Sequence, residues 1–167
     1  MKKINNCSIC NKKFLKIIDL GYHPCADTFL DSKFKANSLP RFPLQVGFCN
    51  CFHFTSIYKV SSHERYQKFK YSYTAGNSPV SRCHFKTIAK KLSKRIKLNM
   101  NSFVVEAGSN DGTFLSAIKK FSNAEVLGID PSKNISKLAK KKGIDTITDF
   151  FNLKVAKFII KKYSKAD

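Results

Sequence analysis

The sequence predicts an α/β protein in which a small β-rich unit precedes part of a doubly wound parallel sheet. Three observations support this fold class. Strand and helix patterns alternate from residue 101 onward. Five of the six cysteines lie within residues 1–60, where Gly and Pro separate short apolar runs. With 43% hydrophobic residues in a chain of 167, there is enough apolar surface for one domain or two small ones.

Residues 1–60 are predicted to form the β-rich unit. Phe14–Leu20 and Leu44–Phe48 are short apolar runs typical of strands, and nearby glycine and proline residues end them. A unit of this size buries little apolar surface, so we expect it to need a disulfide or a metal ion for stability.

Residues 61–100 are predicted to form a helical connector. Ser78 followed by Pro79 is typical of a helix start, because serine caps a free N–H group and proline fits the first turn. Apolar residues then recur at spacings of three and four, which predicts a helix that ends near Leu98. These residues are Phe85, Ile88, Ala89, Leu92 and Ile96.

Residues 101–167 are predicted to form three β/α units with parallel strands. The strands are Phe103–Glu106, Glu125–Asp130 and Ile144–Thr148, and the helices cover about 113–121, 131–142 and 153–163. We expect Gly143 to end the second helix, whose inner face is assigned to Ile135, Leu138 and Ala139.

The net charge of +20 comes from 31 basic and 11 acidic residues. Such a charge is typical of nucleic-acid binders. Here the basic residues are 27 Lys and 4 Arg, spread along the chain, whereas recognition of bases and phosphates favours arginine. We interpret most of the charge as solvated surface in a lysine-biased composition, and nucleic acid is not an expected partner. A zinc-ribbon nucleic-acid-binding protein is the alternative.

The lengths of the apolar runs exclude a transmembrane helix. None approaches the roughly 18 residues that a transmembrane helix needs, and no apolar stretch follows the basic N-terminus as in a secretory signal. We therefore expect no membrane partner and a cytoplasmic location, where cysteines remain thiols and metal binding is favoured over disulfides.

Two close cysteine pairs suggest a metal site. Cys7-x-x-Cys10 and Cys49-x-Cys51 can supply the four-sulfur shell that structural zinc prefers, and its binding would stabilise the small first unit. The second pair is one residue shorter than the usual spacing, so four plain thiols remain an alternative. Possible substitute ligands are His23, Cys25 and His53.

The segment Val104–Thr113 joins a predicted strand to a helix, which is where α/β sheets bind ligands. Gly108 and Gly112 allow a ligand to approach the backbone, and the helix N-terminus offers N–H groups. The pattern is neither Gly-x-Gly-x-x-Gly nor a P-loop, and Glu106 disfavours a pyrophosphate. It favours a cationic or zwitterionic ligand, such as the methionine part of S-adenosylmethionine.

Two further carboxylates follow predicted strands. Asp130 ends the second strand 18 residues after Gly112, where it can accept both ribose hydroxyls of an adenosine. Asp149 follows the third strand and can reach the adenine amine. An ordinary strand-to-helix turn explains the glycines alone, but glycines and carboxylates together in consecutive β/α units predict an adenosine-type cofactor.

These motifs resemble those of S-adenosylmethionine-dependent sugar C-methyltransferases with an N-terminal zinc-binding domain, and the resemblance covers essentially the whole chain. The most specific matches are the loop Glu106–Thr113, with its Ser-Asn-Asp-Gly core, and the segment Gly128–Ser132. The other matching segments are Cys7–Cys10, Asp19–Pro24, Phe42–Leu44, Tyr71–Ser78 and Phe150–Phe151. The resemblance implies a Rossmann-like class I methyltransferase domain, S-adenosylmethionine and structural Zn²⁺ as cofactors, and a nucleotide-linked keto-deoxysugar as substrate.

The resemblance also implies roles for individual residues. Asn110 and Asp111 are implied to join the cofactor site. Tyr71 and Tyr73 resemble a tyrosine segment that faces the acceptor sugar, so one hydroxyl is expected to act in catalysis. The alternative is that both tyrosines serve packing.

Members of that family are considerably longer than this chain. Their remaining strands, sugar-binding segment and acid–base groups lie beyond the region that matches. The resemblance therefore implies that residues 101–167 form the N-terminal half of the methyltransferase domain. A catalytically inactive remnant, or a split subunit that a second chain completes, is the alternative.

Overall fold

The computed structural model describes residues 1–26, 28, 30, 32–68 and 71–167. The chain divides into two compact units, Met1–Lys70 and Tyr71–Asp167. The helix predicted within the connector lies in the second unit. No helix in the described part of the chain is long and apolar enough to cross a membrane.

The first unit is mainly β-structure, as predicted. Its strands are β1 (Lys2–Lys3), β2 (Leu15–His23), β3 (Phe42–Cys49), β4 (His53–Ser56) and β5 (Tyr58–Lys59). β2, β3 and β4 form an antiparallel sheet in that order, and β1 pairs with β5. A 3₁₀ helix covers Lys33–Ser38 and a π-helical turn covers Glu64–Lys68. The tight connection between β3 and β4 carries Cys51.

The second unit confirms the predicted alternation of strands and helices. Its elements are α1 (Pro79–Arg95), β6 (Phe103–Ala107), α2 (Thr113–Ser122), β7 (Glu125–Ile129), α3 (Lys133–Lys141), β8 (Thr146–Ile147) and α4 (Leu153–Lys162). The sheet order is β6-β7-β8 and both pairings are parallel.

Helices cover both faces of this sheet. Because side chains alternate along a strand, Val126 and Leu127 of β7 belong to opposite faces. Val126 packs with residues of α1, α2 and α3, whereas Leu127 packs with Phe103 and with Val155 and Ile159 of α4. This arrangement is the doubly wound packing that the sequence predicts.

The inner face of α3 differs from the prediction at one position. Ile135 and Ala139 are buried, but Leu138 is 39% exposed and Ser136 is buried instead. The Ser136 hydroxyl donates to the carbonyl of Asp130 at 3.0 Å. A polar side chain fits this face because it satisfies a backbone acceptor at the end of β7.

The predicted end of α1 was three residues too late. The helix ends at Arg95 because Lys97 adopts a left-handed conformation, with φ of 55°. The N–H of Leu98 then donates to the carbonyl of Ser93 at 2.9 Å, which closes the helix end. Of the predicted apolar stripe, Ala89 is buried, whereas Ile96 is 49% exposed.

Candidate functional site

The predicted cofactor loop folds back onto the neighbouring strand. Glu106 pairs with Gly128 across β6 and β7, so Glu106 and Asp130 both lie at the carboxyl end of the sheet. The N–H groups of Gly108 and Ser109 donate to the carbonyl of Ile129 at 2.8 and 3.1 Å. These two bonds fix the loop at the edge where open α/β sheets bind ligands.

Glycines make this close approach possible. Gly108 and Gly112 have positive φ values of 75° and 73°, which glycine adopts without strain. A Cβ at Gly128 would lie 2.4 Å from the Ser109 hydroxyl, so only glycine fits at this point of β7. Sequence reasoning did not assign this role to Gly128, although a glycine inside a strand indicates a close backbone approach.

Asp130 is buried and partly hydrogen-bonded. Its Oδ2 accepts the N–H of Asn110 at 3.1 Å and its Oδ1 accepts the N–H of Ser132 at 2.9 Å. Burial raises the pKa of this carboxyl, and the two N–H groups partly oppose the increase. A hydrogen bond from the Ser132 side chain adds to these two, and a carboxylate offers about four lone-pair sites, so acceptor capacity remains for a ribose hydroxyl.

Glu106 has a buried oxygen without a protein partner. Its Oε2 accepts no hydrogen bond from the described residues. Burial raises the pKa of Glu106 to about 7, and the nearby carboxylates of Asp111 and Asp130 add to the increase. An unpartnered buried carboxylate oxygen is unfavourable in an unliganded protein. Its position therefore fits a cationic group of a ligand.

The side chains of Asn110 and Asp111 form hydrogen bonds with backbone groups of the protein. Asn110 contacts the backbone of Tyr73 and Ala75, and Asp111 contacts Gly76. Although burial opposes ionisation, hydrogen bonds from Lys142 and Thr113 hold the pKa of Asp111 below its usual range.

The remaining predicted residues lie in the same unit. Tyr73 is 49% exposed and Tyr71 is half-buried, with their ring centroids 6.5 Å apart. Asp149 is exposed after β8, and its carboxylate accepts the N–H of Phe150 at 2.7 Å. Asp149 thus lies at the carboxyl edge of the sheet, and the hydrogen bond described for its side chain is to the next residue in the chain.

The first unit brings the four predicted cysteines together. The sulfurs of Cys7 and Cys51 are 3.6 Å apart, those of Cys10 and Cys49 are 3.4 Å apart, and all four lie within 4.8 Å of one another. A Zn–S bond of about 2.3 Å gives a tetrahedron with edges of about 3.8 Å. The donor set therefore fits a zinc ion.

The two histidines considered as substitutes have other contacts. The His53 ring lies 3.3 Å from the Ser8 hydroxyl, and the His23 ring lies 2.6 Å from the Leu20 carbonyl. Among the described residues, the group that can hold a metal ion contains the four cysteines and omits Cys25.

The thiols of this group differ in acidity. Backbone N–H groups of Cys10 and Ile9 lower the pKa of Cys7 to about 6, whereas burial and the neighbouring thiols raise the pKa of Cys51 to about 12. A divalent cation would stabilise all four as thiolates, since the metal binds the deprotonated form.

Comparison with known proteins gives one similarity over the whole chain. The C-methyltransferase NovU of Streptomyces niveus is 26% identical over 168 residues, which cover 99% of this chain and 39% of NovU. The chain thus spans about two fifths of the length of this relative. No protein-family model matches the sequence. The similarity is therefore to a part of one C-methyltransferase.

Sequence reasoning missed three residues around the predicted cofactor loop. Lys142 forms an ion pair with Asp111 at 2.7 Å, Asn134 donates to the carbonyl of Tyr71, and Gly76 lies against Asp111 and Thr113. No local pattern identifies them, because their partners lie 31 to 63 residues away along the chain. Of the three, only Gly76 could have been noticed in the sequence, because a glycine often marks a point where the backbone comes close to other atoms.

Proposed function

We propose that the second unit binds S-adenosylmethionine and that the chain is the N-terminal part of a sugar C-methyltransferase. The observation that carries this proposal is the unpartnered buried oxygen of Glu106 beside Asp130, at the carboxyl edge of a parallel sheet. The similarity to NovU, a C-methyltransferase, supports the reaction class.

Four of the predicted site residues have a part in this proposal. When bound, S-adenosylmethionine supplies an electrophilic methyl group. The Glu106 carboxylate holds the ammonium group of the methionine part, and Gly108 lets the ligand approach the backbone. Asp130 would accept hydrogen bonds from the ribose hydroxyls, and the exposed carboxylate of Asp149 would accept one from the adenine amine.

The proposed acceptor is a nucleotide-linked keto-deoxysugar. A base, which the rest of the methyltransferase would supply, would take the proton beside the ketone and make that carbon a nucleophile for the methyl group. The contribution of the protein is to bring the two ligands together in line and to stabilise the developing negative charge. Tyr71 and Tyr73 are the residues proposed to contact the sugar, and the 49% exposure of Tyr73 leaves its ring accessible.

We also propose a structural zinc ion bound by Cys7, Cys10, Cys49 and Cys51. Four protein sulfurs complete the tetrahedral shell and leave no open position for catalysis. The thiols must stay reduced to bind the ion, so a cytoplasmic location is part of the proposal.

The outer edge of β6 is proposed to accept a further strand of the same methyltransferase. Among the described strands, β6 pairs with β7 alone. The N–H of Phe103 donates to the carboxylate of Asp167 at 2.8 Å and its carbonyl accepts the N–H of Asp167 at 3.1 Å, so this edge is competent for pairing. An apolar groove lies beside it, lined by Val105, Phe151, Ala156, Ile159 and Ile160.

The strand would come from the polypeptide that corresponds to the rest of NovU, either in continuous sequence or as a second chain. The alternative is that the chain is an inactive remnant. We expect the 167-residue chain alone to bind S-adenosylhomocysteine but not to methylate a keto-sugar nucleotide. Methylation by the chain alone would contradict the need for a second polypeptide.

Calorimetric titration with S-adenosylhomocysteine tests cofactor binding. We expect Glu106→Gln and Asp130→Asn each to weaken binding about 10- to 100-fold, the usual effect of losing one charged hydrogen bond. Glu125→Gln is the matched control, because Glu125 is exposed at the opposite end of the same sheet. Absence of binding to the unmodified chain would contradict the proposal.

A further inference from the structure

The segment Tyr71–Ser78, here called the strap, lacks helix and strand but is held along its length. The amide of Asn134, at the start of α3, donates to the carbonyl of Tyr71. At the other end, the guanidinium of Arg82 donates to the carbonyl of Gly76 at 2.6 Å. The anchors between these ends come from the cofactor loop.

Asn110 bonds the middle of the strap as a neighbouring strand would. Its side-chain amide donates to the carbonyl of Tyr73 at 3.2 Å, and its side-chain carbonyl accepts the N–H of Ala75 at 2.8 Å. The backbone N–H of the same residue donates to Asp130. Asn110 adopts a left-handed φ of 50°, which asparagine tolerates better than most residues. One residue therefore connects the proposed ribose carboxylate to the strap.

Asp111 anchors the strap at Gly76. Asp111 is 3% exposed, and its carboxylate accepts bonds from the N–H of Gly76 at 3.2 Å, from the Thr113 hydroxyl at 2.7 Å and from the Lys142 ammonium at 2.7 Å. A Cβ at Gly76 would lie 2.4 Å from the Thr113 hydroxyl oxygen. Charge-assisted bonds of this kind are the stronger ones, and here they converge on the carboxylate that also accepts the backbone N–H of Gly76.

We propose that Asn110, Asp111 and Lys142 are positioning residues that hold the strap against the cofactor loop, and that occupation of the Asp130 site orders Tyr71 and Tyr73 through Asn110. In this assignment the side chains of Asn110 and Asp111 act on the protein and not on the cofactor. The link to the cofactor rests on the proposed function, whereas the hold on the strap does not.

Hydrogen exchange of the full chain without ligand tests the hold. We expect Lys142→Met to speed exchange of the Ala75 and Gly76 amides at least ten-fold, and Lys142→Arg to restore most of the protection. Lys141→Met is the matched control, since Lys141 is the exposed last residue of α3 and directly precedes Lys142. Asp111→Asn should act like Lys142→Met, and circular dichroism verifies that each variant is folded. Unchanged exchange in Lys142→Met would overturn the proposal.

Fluorine NMR of chains that carry 3-fluorotyrosine tests the link to the cofactor site. Tyr71→Phe and Tyr73→Phe assign the two resonances. We expect S-adenosylhomocysteine to shift both in the unmodified chain. In Lys142→Met the dissociation constant of S-adenosylhomocysteine should change less than three-fold. The two tyrosine resonances should become broad and should respond only weakly to the ligand.

Two outcomes would overturn the link: a loss of affinity in Lys142→Met as large as in Asp130→Asn, or tyrosine resonances that respond as in the unmodified chain. If the unmodified chain does not bind S-adenosylhomocysteine, the proposed function fails, and hydrogen exchange still decides whether the strap is held.

Discussion

The two units each contain a three-stranded sheet, yet they bury very different amounts of apolar surface. Among the described residues, the buried hydrophobic side chains of the first unit are Cys7, Cys49 and Ile57. Two of these three belong to the cysteine group. The second unit buries fourteen such side chains, on both faces of its sheet. Apolar burial can therefore stabilise the second unit, whereas the first unit has little buried apolar surface beyond its cysteine group.

The sheet of the first unit also leaves apolar side chains exposed. Leu15, Phe48 and Phe54 form one row across β2, β3 and β4. Leu15 is 69% and Phe54 is 61% exposed. An antiparallel sheet normally packs one such row against a core. The contrast teaches that regular pairing alone does not stabilise a sheet. Removal of the proposed zinc ion is therefore the sharpest test of the difference between the two units.

Loss of the proposed zinc ion should have the largest effect and should be confined to the first unit. We expect Cys49→Ser, or a zinc chelator, to abolish protection of amides in Met1–Lys70, because structural zinc contributes on the order of 10 kcal/mol to such folds. The second unit should keep its protection. Metal analysis and hydrogen exchange measure both effects. Cys83→Ser, at an exposed thiol of α1, should retain zinc. Full protection of the first unit without metal would refute this prediction.

Truncation of a buried side chain in the core of the second unit should destabilise that unit alone. Ile135 is fully buried in α3, so Ile135→Ala should lower the free energy of unfolding by about 2–5 kcal/mol. Leu138→Ala on the same helix should cost less than about 1 kcal/mol, since Leu138 is 39% exposed. Urea unfolding measures both variants. The absorption of Co²⁺ in the cysteine site should stay unchanged, and equal effects of the two variants would contradict the packing described for α3.

The buried carboxyl group of Glu106 is expected to lower the stability of the second unit once it is ionised. Its pKa of about 7 in the folded chain exceeds the ordinary value of 4.5, so the folded state binds the proton more tightly. Stability should fall as pH rises between these two values and remain lower above pH 7. Glu106→Gln should therefore be more stable than the unmodified chain at pH 8, by up to about 3 kcal/mol, and only slightly different near pH 4.

The same variant should bind S-adenosylhomocysteine more weakly, so stability and affinity change in opposite directions. Thermal unfolding at several pH values, together with calorimetric titration, provides the measurement. Glu125→Gln should alter neither quantity. A Glu106→Gln chain that is less stable at pH 8 would show that the carboxylate has a structural partner.

Sequence patterns predicted the parts of the fold that depend on local chemistry. The alternation of apolar runs predicted the three parallel strands and their helices. Gly143 ends α3 as expected, with a positive φ of 75°. The cysteine group forms despite its short second spacing, because Phe52 takes a left-handed φ of 60° and its N–H bonds to the Cys49 carbonyl at 2.8 Å. This tight turn brings Cys49 and Cys51 to one side.

The patterns did not predict features that depend on distant partners. Leu138 has the spacing of a buried residue, yet Ser136 takes the inner position because a strand-end carbonyl needs a donor. The side chains of Asn110 and Asp111 bond backbone groups 35 residues away, in a segment without periodicity. Neither contact leaves a signal in the spacing of residue types.

The smallest expected effect concerns the helix that covers the second face of the parallel sheet. Asn152 caps α4, and its side-chain oxygen accepts the N–H of Val155 at 3.0 Å. Asn152→Ala should lower the free energy of unfolding of the second unit by about 1 kcal/mol, because one N–H of the first turn loses its partner. Ser78→Ala is the internal comparison, since Ser78 caps α1 through a longer contact of 3.5 Å and should cost less. If Asn152→Ala also loosened the zinc site, as the Co²⁺ absorption would report, the two units would not be independent and the contrast between them would fail.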